Sequence, residues 1–262
     1  MGLQGRSLPM PPVELRALIG STDPALFDNP DGDPVFRHLP VAAYRSVVDM
    51  GCGCGRVARM LLQQDPRPQR YIGFDLHAGM IDWCQRNLAQ PGFDFLHHDI
   101  QNLGFNPDGR HRTLPIPAET RSATLVNAWS VFTHLMQDQA THYLHESSRV
   151  LTDDGYLNST WFLFEKADFP MMQDFQNALF INDLDPTNAV IFDREWLIRT
   201  IHEAGLKITY IEPPGIRGYQ WLIVARLKHA SDAEVEWPVD AAPAGRMPPP
   251  LRGADAHLLD GR

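Results

Sequence analysis

The run Val47-Val48-Asp49-Met50-Gly51-Cys52-Gly53-Cys54-Gly55-Arg56 limits what this chain can fold into more than any other segment. Two β-branched residues and an acid lead into three alternating glycines, and an amphipathic helical pattern starts at once. Glycines at such a turn let the backbone pass sharply from strand to helix and touch a ligand directly. A strand, a glycine turn and a helix N-terminus together make a nucleotide-cofactor site.

The chain on either side of the turn agrees with that start. Strand patterns at Ser46 to Met50, Arg70 to Phe74, Phe93 to His97, Ala123 to Ala128 and Tyr156 to Phe162 alternate with helical periodicity. The helices are expected at Arg56 to Gln64, Ala78 to Ala89, Asp138 to Val150 and Arg194 to Ala204. In the second, Met80, Ile81, Trp83, Cys84 and Leu88 share one apolar face. Asp193 is placed to cap the last helix and Gly205 to stop it. Alternation of this kind predicts a parallel sheet covered on both faces. Two final strands, Leu206 to Ile211 and Tyr219 to Arg226, have only Pro213-Pro214-Gly215 and a few residues between them. So short a connection makes an antiparallel hairpin. The expected fold is an α/β, doubly wound, mostly parallel seven-stranded sheet ending in that hairpin, with helices on both faces.

A chain of 262 residues holds one such domain with attachments. Residues 1 to 40, rich in Pro, Asp and Gly, read as an N-terminal arm with a helical turn or two at Val13 to Ile19. The domain proper spans 41–228. Within it, Glu165 to Val190 is an insertion carrying Phe169, Met171, Met172, Phe175 and Phe180, read as an apolar lid, an interface or an ordinary helix packing on the core, and residues 229–262 read as a flexible tail. A net charge of −9 argues against general nucleic-acid binding. Cys52, Cys54 and Cys84 lack the spacing of a zinc site and are expected to pack as small side chains; no metal is predicted. The odd cysteine count, the absence of a basic-then-apolar leader pattern and the shortness of every apolar run predict a cytoplasmic protein that does not insert into membranes.

In an open α/β sheet the ligand sits at the carboxyl ends of the strands. Those ends hold Asp49 with the glycine turn, Asp75-Leu76, His97-His98-Asp99-Ile100 and Asn127-Ala128-Trp129-Ser130. Asp75, 20 residues past Gly55, is where a ribose-binding acid is expected. A dinucleotide or S-adenosylmethionine (SAM) both carry that ribose. The glycine order separates them: it is G-x-G-x-G, and Arg56 stands where the dinucleotide pattern has its third glycine.

From roughly Val41 to Lys228 the chain resembles the class I SAM-dependent methyltransferase family. Asp49-Met50-Gly51-Cys52-Gly53-Cys54-Gly55 looks like its first motif, Asp75 like the acid after its second strand, and Asp99-Ile100 like its adenine-contacting pair. The terminal antiparallel hairpin fits as well. The resemblance implies that Gly51, Gly53 and Gly55 let the backbone approach the methionine part of SAM, and that Asp49 reaches its amino group directly or through water. It implies that Asp75 and Leu76 hold the ribose side, that Asp99 and Ile100 face the adenine, and that Asn127 and Trp129 line the methionine moiety. Each of these residue types also serves in ordinary turns and cores.

Methyl transfer from a sulfonium is a direct displacement, for which the protein aligns the reactants and excludes water. A hydroxyl acceptor gains from a general base. His134, in Trp129-Ser130-Val131-Phe132-Thr133-His134-Leu135, is the candidate; packing or capping the next helix is its structural alternative. That segment also resembles a bacterial subgroup whose members often accompany polysaccharide-building enzymes. His97 and His98 read as strand-end polar residues, Asp153-Asp154-Gly155 as a turn, and Trp129 and Trp161 as a sugar platform or core aromatics. The expectation is methyl transfer to a hydroxyl oxygen of a small molecule or glycan. Its rivals are an NAD(P)-dependent oxidoreductase on a similar sheet and a non-catalytic partner protein with the same fold.

Overall fold

The computed structural model describes residues 8–216 and 220–238. Among these, nine strands join in one sheet: β1 (Ser46–Met50), β2 (Arg70–Asp75), β3 (Phe93–His97), β4 (Ala123–Ala128), β5 (Leu151–Phe164), β6 (Ala178–Phe180), β7 (Val190–Asp193), β8 (Leu206–Ile216) and β9 (Gln220–Leu227). The first five lie parallel in the order β3-β2-β1-β4-β5. Strand order reverses at β1, which has β2 on one side and β4 on the other. A cleft therefore opens beyond the carboxyl ends of β1 and β4.

The expectation of seven strands is corrected at the insertion, which supplies β6 and runs into β7 at its last residue. It is built mainly from β6 and short 3-10 turns. β5 is 14 residues long, and its outer edge is shared. Its lower part, Leu157 to Trp161, pairs antiparallel with β9. Its upper part, Phe162 to Phe164, pairs parallel with β7. The β6–β7 hairpin thus sits at the carboxyl end of the sheet, beside the cleft. Asp153-Asp154-Gly155 is also not the turn expected. These residues lie inside β5, where the pairing register with β4 slips between Ala123↔Leu151 and Leu125↔Tyr156. The extra residues of a bulge satisfy the same Asp- and Gly-rich composition as a turn.

The helices are α1 (Val13–Leu18), α2 (Arg56–Gln63), α3 (Ala78–Asn87), α4 (Gln137–Val150) and α5 (Arg194–Glu203). Asp193 caps α5 by accepting from the Trp196 N–H at 3.0 Å, and Gly205 follows the helix with φ +80. One face of the sheet packs with α4 and α5 around Val126, Phe132, Trp161, Leu197 and Ile223. The other packs with α2 and α3 around Tyr44, Leu61, Tyr71, Ile81 and Leu125. Burial on both faces explains why β4 and β9 read as continuous runs without alternation.

The N-terminal arm is fastened by Arg59 of α2, whose side chain is 6% exposed. Its guanidinium donates to the carbonyls of Leu8, Pro9 and Phe27 and pairs with Asp28. At the other end, residues 229–238 run beside β8, where the Val235 N–H donates to Ile208 O, and Trp237 packs 4.8 Å from Trp221. The rest of the expected tail, 239–262, lies outside the described residues.

Candidate cofactor and acceptor site

A cavity of about 310 Å³ occupies the cleft, within the range of small-molecule sites. Asp49, Gly51, Gly53, Asp75, Leu76, Ile100, Asn127, Trp129 and His134 all line it. Residues from four separated stretches of sequence therefore converge as expected.

The glycine turn is built for close approach. Gly51 has φ +68, and a Cβ there would lie 2.5 Å from Val131 Cγ2. Gly53 has φ +55, and a Cβ would meet Ile19 Cγ2 at 2.9 Å. Gly55 differs, because it does not line the cavity. It is the residue before α2 and faces Leu88 and Cys84, so it serves the packing of α3 on the turn.

Asp49 is 1% exposed. Its Oδ2 accepts from the Tyr71 hydroxyl at 2.7 Å and its Oδ1 from Asn127 Nδ2 at 2.7 Å. Burial raises its pKa from 3.8 to about 6, against the lowering effect of those two hydrogen bonds and of Arg56. Asp75 accepts from the backbone N–H groups of Gly53 and His77, both at 2.8 Å. Burial raises its pKa too, opposed by the same two N–H groups. Each carboxylate oxygen keeps a lone pair for a further donor.

Asp99 departs from the expected role. Its side chain turns from the cavity to Arg110, at 2.5 Å, and Asn106, at 3.3 Å. That pairing holds its pKa below the usual carboxylate range. Ile100, 4% exposed, stays in the lining, and Gln101 and Asn102 continue it.

At the outer end, Ser130 lines the cavity with φ +56, an uncommon conformation for a residue with a side chain. Its N–H donates to Thr160 Oγ1 at 2.7 Å, and its hydroxyl to Gln220 Oε1 at 2.9 Å. Such restraint from two other strands is what keeps a strained residue in place. His134 lies in a 3-10 turn just beyond (Phe132–His134). Its Nδ1 is 2.9 Å from the backbone carbonyl of Thr187, in the insertion. A carbonyl only accepts, so Nδ1 carries a proton and Nε2 of the neutral ring has a free lone pair. Phe105 meets the ring edge-on at 6.3 Å. Asn102 ties the two loops together: its Nδ2 donates to Thr187 Oγ1 at 3.0 Å, while its Oδ1 accepts from the Gly104 and Phe105 N–H groups.

Several lining residues carry no local motif. Leu18, Ile19 and Gly20 come from the arm, and Val57 and Met80 from the helices behind the turn. The arm's proline-rich composition gives no sign that it closes a cavity.

Over residues 47–155 the chain matches the family described as "Methyltransferase domain". The matched segment is somewhat less than half of the chain. It contains the glycine turn, Asp49, Asp75 and His134. Of curated proteins, the chain is 27% identical over 152 residues to the phthiotriol/phenolphthiotriol dimycocerosates methyltransferase 1 of Mycobacterium ulcerans, covering 56% of this chain and 48% of that one. It is 31% identical over 112 residues to the fatty-acid O-methyltransferase of Mycolicibacterium smegmatis, covering 43% and 35%. The chain thus spans half or less of the length of these relatives. Among solved structures, a Haloferax volcanii methyltransferase in complex with its activator superposes with a TM-score of 0.52 at 17% identity, over 75% of this chain and 87% of that one. A SAM-dependent methyltransferase from Mesorhizobium loti gives 0.50 at 14%, over 86% and 100%. At those identities the likeness establishes the Rossmann-like fold.

The cofactor of such a domain is SAM, and the residues present fit it. Glycines without side chains line one wall, and two acids, Asp49 and Asp75, offer acceptors to an ammonium and to ribose hydroxyls. Leu76 and Ile100 supply an apolar wall for a ring. Among the described residues no helix is long and apolar enough to cross a membrane.

Proposed function

We propose that this protein transfers the methyl group of SAM to a hydroxyl oxygen of a small-molecule or glycan acceptor, with His134 as general base. One observation carries the reading: in a residue that lines the cavity, the Thr187 carbonyl engages His134 Nδ1 as donor, which leaves Nε2 of the neutral ring with a free lone pair. When bound, SAM supplies an electrophilic methyl on a sulfonium. Asp49 would hold its ammonium and Asp75 its ribose hydroxyls. Nε2 of His134 would take the proton of the acceptor hydroxyl as the oxygen–methyl bond forms. The loop carrying Asn102 and Phe105 and the insertion carrying Thr187 would flank the acceptor and exclude water.

A second reading concerns the acceptor's body. Phe105, which lines the cavity, is 36% exposed, and Leu103 and Leu184, close in the chain to Asn102 and Thr187, are 55% and 89% exposed. One of the curated relatives is named as a fatty-acid O-methyltransferase. These features support an acceptor with an apolar chain. Calorimetry with SAM, with NAD as control, tests the cofactor. A methyl-transfer screen over sugars, phenols and fatty acids, read by mass, tests the acceptor. His134→Gln should lower turnover of a hydroxyl acceptor by about 10²–10⁴-fold with little change in SAM affinity. Turnover unaffected by that change removes His134 as base, and NAD binding without SAM binding removes the reading altogether.

A further inference from the structure

The buried polar row leading away from Asp49 has no part in the chemistry above. Asp49 on β1, Asn127 on β4 and Asn158 on β5 are register partners across three neighbouring strands, with relative exposures of 1%, 1% and 0%. Their side chains form one chain of hydrogen bonds. Asn127 Nδ2 donates to Asp49 Oδ1 at 2.7 Å, and Asn158 Nδ2 donates to Asn127 Oδ1 at 3.0 Å. Asn158 Oδ1 then lies 2.8 Å from Nε2 of His38. His38 belongs to the N-terminal arm and stacks on Tyr210 of β8, with ring centroids 5.3 Å apart and planes within 3°.

The direction of this row is forced from its inner end. An ionised carboxylate accepts only, so Asn127 must turn its NH₂ to Asp49 and its carbonyl to Asn158. Asn158 must then present NH₂ to Asn127, which leaves its own carbonyl facing His38. His38 must therefore donate from Nε2. Every dipole in the row points its positive end at Asp49, and dipoles aligned in a dry interior reinforce one another. Reversing any amide would set oxygen against oxygen in a place closed to water.

We propose that His38 is a positioning residue for the cofactor, its Nε2–H locking the Asn158–Asn127 row that aims the Asp49 carboxylate at the SAM ammonium. The proposal rests on the cofactor reading of the cavity. It gives the arm segment around His38 a share in cofactor recognition that no contact with the cavity would reveal.

The test compares three ligands and two variants. His38→Leu fills the space and keeps apolar contact with Tyr210, but donates nothing. His38→Gln restores an N–H donor. By calorimetry, His38→Leu should weaken SAM and S-adenosylhomocysteine binding about tenfold, the equivalent of one hydrogen bond of about 1.4 kcal/mol, and His38→Gln should stay within about twofold of the parent. Methylthioadenosine, which lacks the amino-acid part, should bind all three proteins alike. In the cofactor-free parent protein, ¹⁵N NMR of the histidines should show His38 as the Nε2–H tautomer. Equal loss for methylthioadenosine and SAM in His38→Leu, no loss for either, or an Nδ1–H tautomer would overturn the proposal. If the parent protein binds no SAM at all, the cofactor reading falls and takes the proposal with it. The tautomer, measured without cofactor, needs neither variant to fold.

Discussion

Replacing Asp49 by Asn should make the cofactor-free protein more stable at neutral pH while weakening its grip on SAM. Asp49 is buried, and its pKa rises from 3.8 to about 6 in the fold. Between those values the folded state holds a proton that the unfolded chain has lost, so stability falls as pH rises through this window. The penalty is absent below about pH 4 and complete above about pH 6. At about 1.4 kcal/mol for each tenfold change, it reaches at most about 3 kcal/mol. Asparagine has nearly the same shape and can still accept from Asn127 Nδ2, while its own amide can donate to the Tyr71 hydroxyl oxygen. Removing the charge thus removes the penalty, offset in part because the Tyr71 hydroxyl proton loses its acceptor. At about 2–4 °C per kcal/mol, the melting temperature at pH 8 should rise by up to about 6–12 °C, with little change at pH 4. SAM affinity should fall by about tenfold or more, because a charge-assisted contact to the ammonium becomes neutral. Thermal melts of both proteins from pH 4 to 8, paired with calorimetry, decide the matter. A variant less stable than the parent at pH 8, or stabilised equally at pH 4 and pH 8, would refute the reasoning.

The geometry sets three other outcomes. Arg59→Met strands the carbonyls of Leu8, Pro9 and Phe27 and leaves Asp28 with Gln63 as its side-chain donor; a loss of about 3–5 kcal/mol should release residues 8–28, seen as fast amide exchange there, and weaken SAM binding because Leu18 to Gly20 line the cavity. Gly73→Ala places a Cβ 2.7 Å from the Tyr71 hydroxyl, which should break the Tyr71–Asp49 bond, destabilise the protein by about 1–3 kcal/mol in denaturant titrations and raise the SAM dissociation constant. Asn102→Ala frees the Gly104 and Phe105 N–H groups and unlinks Thr187; turnover should drop by about tenfold, and SAM affinity by much less, in steady-state and binding assays.

The parts of the fold that could be read in advance are those with long, regular patterns. β1, β3 and β4 begin and end at the residues expected of them, and α5 carries its own start and stop signals in Asp193 and Gly205. β6 and β7 escaped because three or four residues are too few to show a period; only pairing with β5 makes them strands. The same limit divides the site. Asp49, Gly51, Gly53 and Asp75 sit at strand ends whose position is dictated by topology. Asp99 also sits near one, yet Arg110, eleven residues on, turns it aside through a loop conformation no pattern announces. Leu18 to Gly20 and His38 reach the sheet only by docking of the arm, which depends on Arg59 and on stacking against Tyr210.

The partner that orients His134 is a main-chain oxygen. Any residue at position 187 brings that oxygen with it, so mutations in the insertion can change side chains beside the cavity without releasing the His134 ring, the base of the proposed reaction. Deleting or shortening the segment would remove it at a stroke. A lineage descending from this protein could therefore drift to new acceptors by substitution far more readily than by insertion or loss, and laboratory evolution of its specificity should take the same path.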